Sequence, residues 1–468
     1  MKLKFSSVTA VMLAVILLLT GVSPCLAADA DTPEVDVRAA VLMDAATGDL
    51  LFSVNPDRPL PMGGLAVIMT ALLTAEAVER EEIDYSDLVT APEDFRSDIP
   101  ADATTQNIMP GEELTVENLL YCALIGGASE ACNILAAYVA GSTDAFVRSM
   151  NRRAKELGCT NTSFFNCHGL SAEGQFSTAR DLGLMAAAFV QHSTLMGIAN
   201  TVSREIPATN MSSARKLTSS NYILRTDYTR YYYSYACGIK STYTDEAGYC
   251  LASSMRTNDS YMVSIVLGCQ QVESETGFMD ITSFTETKKL FRWFSSRYSL
   301  RDVLSDIEPV AEIPVEMGEG TDTVIVCSDT AMRLFLPNDL DISKHYTRNI
   351  TIYGSPDETA PLTAPISQGQ ILGELTIVSD TGSVYGPFYL IANTDVEVSR
   401  IELMRQRFLS TTQSRLFRSV CWLIISLVIL YIAFITFYRI RRRKLKQALR
   451  RRQEQARKEA ENQSNPLE

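Results

Sequence analysis

Few side chains in this chain are placed to do covalent chemistry. Acyl transfer by a hydroxyl needs a base within proton-transfer reach, and positions three apart on a helix, one turn from each other, supply that geometry. At the head of the apolar run that follows Leu60-Pro61-Met62, Gly64 and Val67 lie three apart and offer neither a nucleophile nor a base. Gly127 and Ser129 precede a second apolar run. Ser129 has a hydroxyl but no base near it in sequence, and it is expected to cap a helix over Glu130–Val139. Lys240-Ser241-Thr242 follows Ile239 in a β-rich stretch, where Lys240 and Thr242 share one face of a strand and Ser241 takes the other. Lys240 fits carboxylate binding and a purely structural role about equally. The histidines His168, His192 and His345 lie far apart, so no metal site is expected. No cofactor is expected either, and His168 is read as a structural hydrogen-bond donor.

These residues need elements to hold them. Val37–Met43 and Leu50–Val54 flank the turn cluster Asp44-Ala45-Ala46-Thr47-Gly48-Asp49 and read as a hairpin. Leu65–Val78 lacks Gly and Pro and reads as a buried helix. Thr115 is placed to cap a helix with Glu117 in its first turn. A further helix starts at Ser142-Thr143-Asp144, shows Phe146, Met150 and Leu157 on one side and stops at Gly158. Gly248–Ser254 and Tyr261–Leu267 read as a second hairpin, and Phe284, Phe291, Phe294 and Tyr298 recur at helical spacing as a core stripe. Strands at both ends with helices between them suggest a mixed sheet covered by helices. From about Ile313 to Val398 the pattern becomes all-β, with strands near Thr323–Cys327, Asn349–Tyr353, Glu374–Val378 and Gly386–Ile391.

Two long stretches, Ala39 to Asn55 and Glu117 to Asp181, resemble the D-alanyl-D-alanine carboxypeptidases, the low-molecular-mass penicillin-binding proteins. In that family the helix corresponding to Gly64–Val67 opens with Ser-x-x-Lys, and the serine is acylated. The family's Pro-Ser-Gly-Asn motif aligns with Gly126-Gly127-Ala128-Ser129 after Glu117-Asn118-Leu119-Leu120-Tyr121, so Gly127 replaces a hydroxyl and Ser129 an asparagine. The segment from Ile239 to Cys250 is similar to the family's Lys-Thr-Gly strand. Lys240 is kept, Ser241 stands for threonine, and Thr242 occupies the place where glycine leaves room for substrate. Asn166-Cys167-His168-Gly169-Leu170 and Ser177-Thr178-Ala179-Arg180-Asp181 match nearly residue for residue and bear on fold. The resemblance implies an α+β chain: a three-layer α/β/α serine β-lactamase/DD-peptidase-like domain over 35–300, then a small all-β domain over 310–400 that includes Ala364–Gln370.

Targeting signals bracket these domains. Lys2, Lys4, an apolar run from Val8 to Val22 and small residues at Ala27, Ala28 and Ala30 read as a signal peptide over 1–28. Residues 401–418 are read as a stalk. Ser419 to Tyr438 holds 20 uncharged residues, the length of a transmembrane helix. Residues 439–468 carry 11 basic and 4 acidic side chains, a net +7, which leaves −20 of the chain's net −13 to the rest. By the positive-inside rule the basic tail is cytoplasmic and the acidic ectodomain faces outward. An acidic exterior excludes nucleic acid as a partner, and the tail is expected to meet anionic headgroups. Among ten cysteines, Cys159/Cys167 and Cys237/Cys250 are spaced so that either pair could close, although free buried thiols are expected.

The leading expectation is a bacterial, membrane-anchored pseudoenzyme that faces the cell wall and binds peptidoglycan stem peptides or a wall-synthesis partner without hydrolysing them. An active serine-type D-Ala-D-Ala carboxypeptidase and a structural partner in a membrane complex are the alternatives.

Overall fold

The structure is a computed structural model that describes residues 32–257, 260–274, 277–353 and 361–463. The expected signal peptide, with Cys25, lies outside the described residues. The chain divides into two compact units. One comprises the chain up to Leu300 with Phe335–Leu340, and the other Arg301–Leu334 and the chain from Asp341 onward.

The first unit is built on a five-stranded antiparallel sheet. Its strands are β1 (Ala39–Asp44), β2 (Leu50–Val54), β3 (Ala236–Thr244), β4 (Gly248–Arg256) and β5 (Tyr261–Cys269), in the order β2-β1-β5-β4-β3. Both expected hairpins, β1–β2 and β4–β5, are present. Every residue of β1 is buried, because alternate side chains enter two different cores. Ala39 and Val41 join the helical side, while Ala40 and Leu42 join the opposite side with Phe284, Phe291 and Phe294. Sheet and two helical layers give the expected α/β/α sandwich.

The helical side is led by α1 (Val67–Glu79), buried nearly all round as its apolar sequence requires. Its first turn is not α-helical. Gly63–Ala66 form a 3-10 turn with Gly63 at φ +53°, so the helix begins two residues later than its composition suggests. Around it lie α2 (Val116–Leu124), α3 (Ser129–Ala140), α4 (Thr143–Glu156), α5 (Ala179–Phe189) and α6 (Ser193–Ala199). Thr115 caps α2 by accepting from the Asn118 amide at 3.2 Å, and Ser142 caps α4 in the same way from Ala145. Helix α5 packs on β1 and β5, where Gly183 leaves room for Met43.

On the other face, α7 (Thr282–Arg297) packs against β4 and β5. Tyr298 is not on this helix as its spacing implied. Its backbone is extended and starts the next strand, yet its ring still stacks on Phe294 at 5.6 Å.

The second unit contains a six-stranded sheet. Its strands are β6 (Pro309–Glu316), β7 (Thr323–Ser328), β8 (Tyr346–Ile352), β9 (Leu362–Thr363), β10 (Ile371–Ser379) and β11 (Val384–Ala392), ordered β8-β10-β11-β7-β6-β9. Two helices follow, α8 (Arg400–Gln413) and α9 (Arg415–Gln463). The stretch expected as a stalk is therefore helical, with Ile401, Met404 and Phe408 exposed on α8. Helix α9 contains a segment long and apolar enough to cross a membrane.

Candidate active-site groove

The edge strand β3 brings the scattered motif positions together. Its outer neighbours are the 3-10 turn at Gly63–Ala66 and helix α6. A bulge between Gly238 and Lys240 resets the pairing with β4, so Lys240 lies opposite Ala252 and Thr242 opposite Cys250. Lys240 and Thr242 then point toward the helical layer, as strand alternation predicts.

Thr242 reaches the turn that precedes α1. Its Oγ1 accepts a hydrogen bond from the Gly64 amide at 3.0 Å. A Cβ built on Gly64 would lie 2.8 Å from that oxygen, 3.3 Å from Thr242 Cβ and 4.0 Å from Lys240 Cε. The space in which a side chain at position 64 would project is thus occupied by threonine. On the other side of the turn Gly169, at φ +82°, lies so close that a Cβ there would fall on the Gly63 carbonyl oxygen. Val67, one turn into the helix from Gly64, is buried in the apolar core.

Lys240 is turned inward. Its Nζ donates to the carbonyl oxygens of Ala123 and Leu124, both at 2.8 Å, at the C-terminal end of α2. Those carbonyls lack partners within the helix, and a cation there also meets the negative end of the helix dipole. Burial pushes its ammonium down to about 8. A Cβ on Gly127 would stand 4.0 Å from Nζ, so Gly64, Gly127, Lys240 and Thr242 surround one point. Burial also pushes the nearby Cys122 and Cys132 thiols up to about 12, which leaves them protonated at neutral pH.

Two predicted residues stand apart from that point. Ser241 projects from the opposite face of β3 and shares a hydrogen bond with the Ser220 hydroxyl at 2.8 Å. Ser129 is not the cap of α3 that its position suggested. The chain enters the helix at Ala128, which is extended, so Ser129 is already the first helical residue and its hydroxyl is past the capping position.

His168 is a structural donor, as expected. The Leu170 amide donates to His168 Nδ1 at 3.2 Å, which leaves the Nε2 hydrogen for Asp98 Oδ2 at 3.1 Å. Asp98 also accepts from Asn133, and Asn133 accepts from the Cys167 thiol. The hydrogen bond from His168 holds the Asp98 carboxyl below the usual carboxylate range. This network pins the Cys167–Leu170 segment, and with it Gly169, against the turn at Gly63. Asp98 had no signal in sequence, since its partners lie 35 and 70 residues away. All nine described cysteines are free. Cys237 faces Ser254 and Cys250 faces Thr242, which rules out that pair, and the Cys159 thiol is directed at the Asp181 carbonyl instead of Cys167.

The same fold occurs in known proteins. The family profile described as D-alanyl-D-alanine carboxypeptidase matches residues 27–271. The chain belongs to that family. It is 30% identical over 355 residues to the D-alanyl-D-alanine carboxypeptidase DacC of Escherichia coli strain K12, covering 74% of this chain and 80% of that protein. DacF of Bacillus subtilis strain 168 is 27% identical over 364 residues, covering 77% and 86%. Among solved structures, penicillin binding protein 5 from Haemophilus influenzae superposes with a TM-score of 0.59 at 23% identity, over 78% of this chain and 99% of that one. This carboxypeptidase-family chain keeps the fold, with Lys240 on β3, Gly64 in the 3-10 turn and Val67 at the first position of α1.

Proposed function

We propose that this family member is catalytically silent and acts as a membrane-held, wall-facing protein that binds peptidoglycan without cutting it. The observation that carries this reading is the contact between Thr242 Oγ1 and the Gly64 amide at 3.0 Å. A side chain at position 64 would crowd Thr242, its Cβ falling 2.8 Å from Oγ1 and 3.3 Å from Cβ, so the groove is packed for the absence of the serine. Loss of a nucleophilic serine alone costs about a million-fold in turnover. Here Val67 also replaces the base and Gly127 the second hydroxyl.

Lys240 holds α2 in place, with two of its three N–H groups on carbonyl oxygens and its amine buried, which commits it to the helix end instead of a terminal carboxylate. Ser241, on the outward face beside Ser220, is the polar group of the motif strand that a stem peptide can reach. The apolar part of α9 anchors the protein as a single span, the tail from Arg439 lies in the cytoplasm, and both folded units face the wall. The function needs no metal or cofactor, and nucleic acid is not a partner.

The test is covalent labelling of the purified full-length protein in detergent with a fluorescent penicillin, together with D-alanine release from a pentapeptide. Neither signal is expected above background. Stoichiometric labelling, or turnover at about 1 s⁻¹ or more, as for an ordinary enzyme, would overturn the proposal.

A further inference from the structure

The tip of the β3–β4 hairpin carries a second recess on the face away from Lys240. It has a volume of about 290 Å³, close to the lower bound of roughly 300 Å³ for sites that hold small ligands. Its wall is an aromatic pair. Tyr243 and Tyr249 are cross-strand partners, with ring centroids 4.5 Å apart, and Tyr243 is 54% exposed. Paired across two strands, the rings form a stiff platform that a ligand can use at small entropic cost.

The floor is kept low by glycine. Gly248, at φ +71°, and Gly268, at φ +70°, both line the recess. A Cβ on Gly248 would stand 2.7 Å from the Cys269 carbonyl oxygen, and one on Gly268 would run into the Arg38 stem, 2.7 Å from its Cβ. Polar groups complete the lining. Arg38, Gln270 and Gln271 supply donors, and Asp245 and Glu246 supply acceptors. The Tyr243 hydroxyl donates to Asp245 Oδ1 at 3.0 Å, and more than half of the residue stays exposed.

This mixture selects among ligands. Two carboxylates against one guanidinium repel a polyanion, and the polar lining mismatches a flat apolar molecule. A pyranose suits both features, because its C–H face stacks on an aromatic ring while its hydroxyl and acetamido groups take donors and acceptors from the rim. We propose that the recess is a carbohydrate subsite that takes an N-acetylhexosamine unit of the wall's glycan strand, stacked on Tyr243. The inference deepens the peptidoglycan-binding reading above and rests on it. Tyr243 and Ser241 lie on the same face of β3, about 7 Å apart along the strand. A glycan held at Tyr243 can therefore direct its stem peptide along β3 toward Ser241 and Ser220.

The experiment measures binding of full-length protein in detergent to two probes: glycan strands freed of their peptides, and a free D-Ala-D-Ala pentapeptide. The glycan should bind the wild type. Tyr243→Ala should weaken glycan binding by about tenfold, the scale of one lost stacking contact, and leave peptide binding unchanged. Tyr243→Phe, which keeps the ring, should bind glycan as the wild type does, and Gln271→Ala should weaken it. Tyr235→Ala, at an exposed tyrosine outside the recess, should change nothing. Should Tyr243→Ala fail to fold, Gln271→Ala against Tyr243→Phe decides the question. Absence of glycan binding, or equal binding by the wild type and the Ala variants, overturns the subsite. Glycan binding without peptide binding sinks the stem-peptide part of the proposed function and leaves the subsite standing.

Discussion

Thr242 and Gly64 occupy one another's space: the threonine hydroxyl accepts the glycine amide at 3.0 Å and sits where a side chain at position 64 would begin. The relationship joins two motifs 178 residues apart in sequence. A threonine at 242 fills the space that a side chain at 64 would need, so Thr242 depends on a glycine at 64 and the two positions form one packing solution.

This coupling is measurable. Gly64→Ser alone should destabilise the protein by about 1–3 kcal/mol, the usual cost of forcing atoms into a filled site. Thr242→Gly removes the obstruction, so Gly64→Ser in that background should cost less, with a coupling of roughly 0.5–3 kcal/mol. Chemical denaturation of the four proteins in a double-mutant cycle is the check. Strict additivity would mean that the two positions do not share the space.

Lys240 should leave a mark on stability above neutral pH. Its folded value of about 8 lies below the ordinary lysine value of 10.5, because burial opposes the charged form. Between those values the unfolded chain holds the proton and the folded chain has released it. Stability must then rise with pH from about 8 to about 10.5, and the contribution is lost as pH falls through 8. The full effect is at most about 3 kcal/mol. The difference in unfolding free energy between the wild type and Lys240→Met should follow that rise, and a flat difference across the window would refute the inward placement of the amine.

Gly169 and Gly141 separate backbone strain from crowding. Both have positive φ, +82° and +77°, but Gly141 has nothing within 4 Å of its absent Cβ whereas Gly169 abuts the Gly63 backbone. Gly141→Ala should cost about 1–2 kcal/mol from the left-handed conformation alone. Gly169→Ala must also push one backbone segment off another, and should exceed that by at least about 2 kcal/mol or prevent folding. Equal melting temperatures for the two variants would show that Gly169 does not wedge against the turn.

How far the sequence disclosed these features depended on their range. Strand alternation placed Lys240 and Thr242 on one face, and the resemblance to the Lys-Thr-Gly strand implied that the threonine would intrude on the groove. Periodicity and turn chemistry located β1–β2, α1, α2 and α4 to within about two residues. Three things escaped it, each for want of a local signal. The 3-10 turn at Gly63–Ala66 depends on Gly169 and Thr242 pressing from outside, so composition alone extended α1 too far forward. Ser129 was placed one residue outside its true position because the path of the chain through Ala128 is fixed by the bond from the Ser129 amide to the Thr104 carbonyl. The destination of the Lys240 amine follows from how α2 ends, and no spacing rule encodes which carbonyls a long side chain will find.

The Asp98–His168 contact should act as an acid-sensitive fastener for the segment that carries Gly169. The hydrogen bond from His168 lowers the Asp98 carboxyl below its ordinary value of 3.8. A depressed carboxylate contributes stability that is fully present above the unfolded value and disappears as pH drops through the lower folded one. Asp98 is about half exposed, so solvent screening keeps the contribution small, under about 1 kcal/mol. Asp98→Asn retains an acceptor for the His168 Nε2 hydrogen, loses the acceptor for Asn133 and cannot titrate. The lost bond is a pH-independent offset, and the titrating part of the gap, a few tenths of a kcal/mol at pH 5, should shrink toward pH 3. Other carboxylates titrate equally in both proteins and cancel in the difference. A gap that stays constant from pH 5 to pH 3 would assign the role of Asp98 to packing alone and remove the charge from the account of how Gly169 is held.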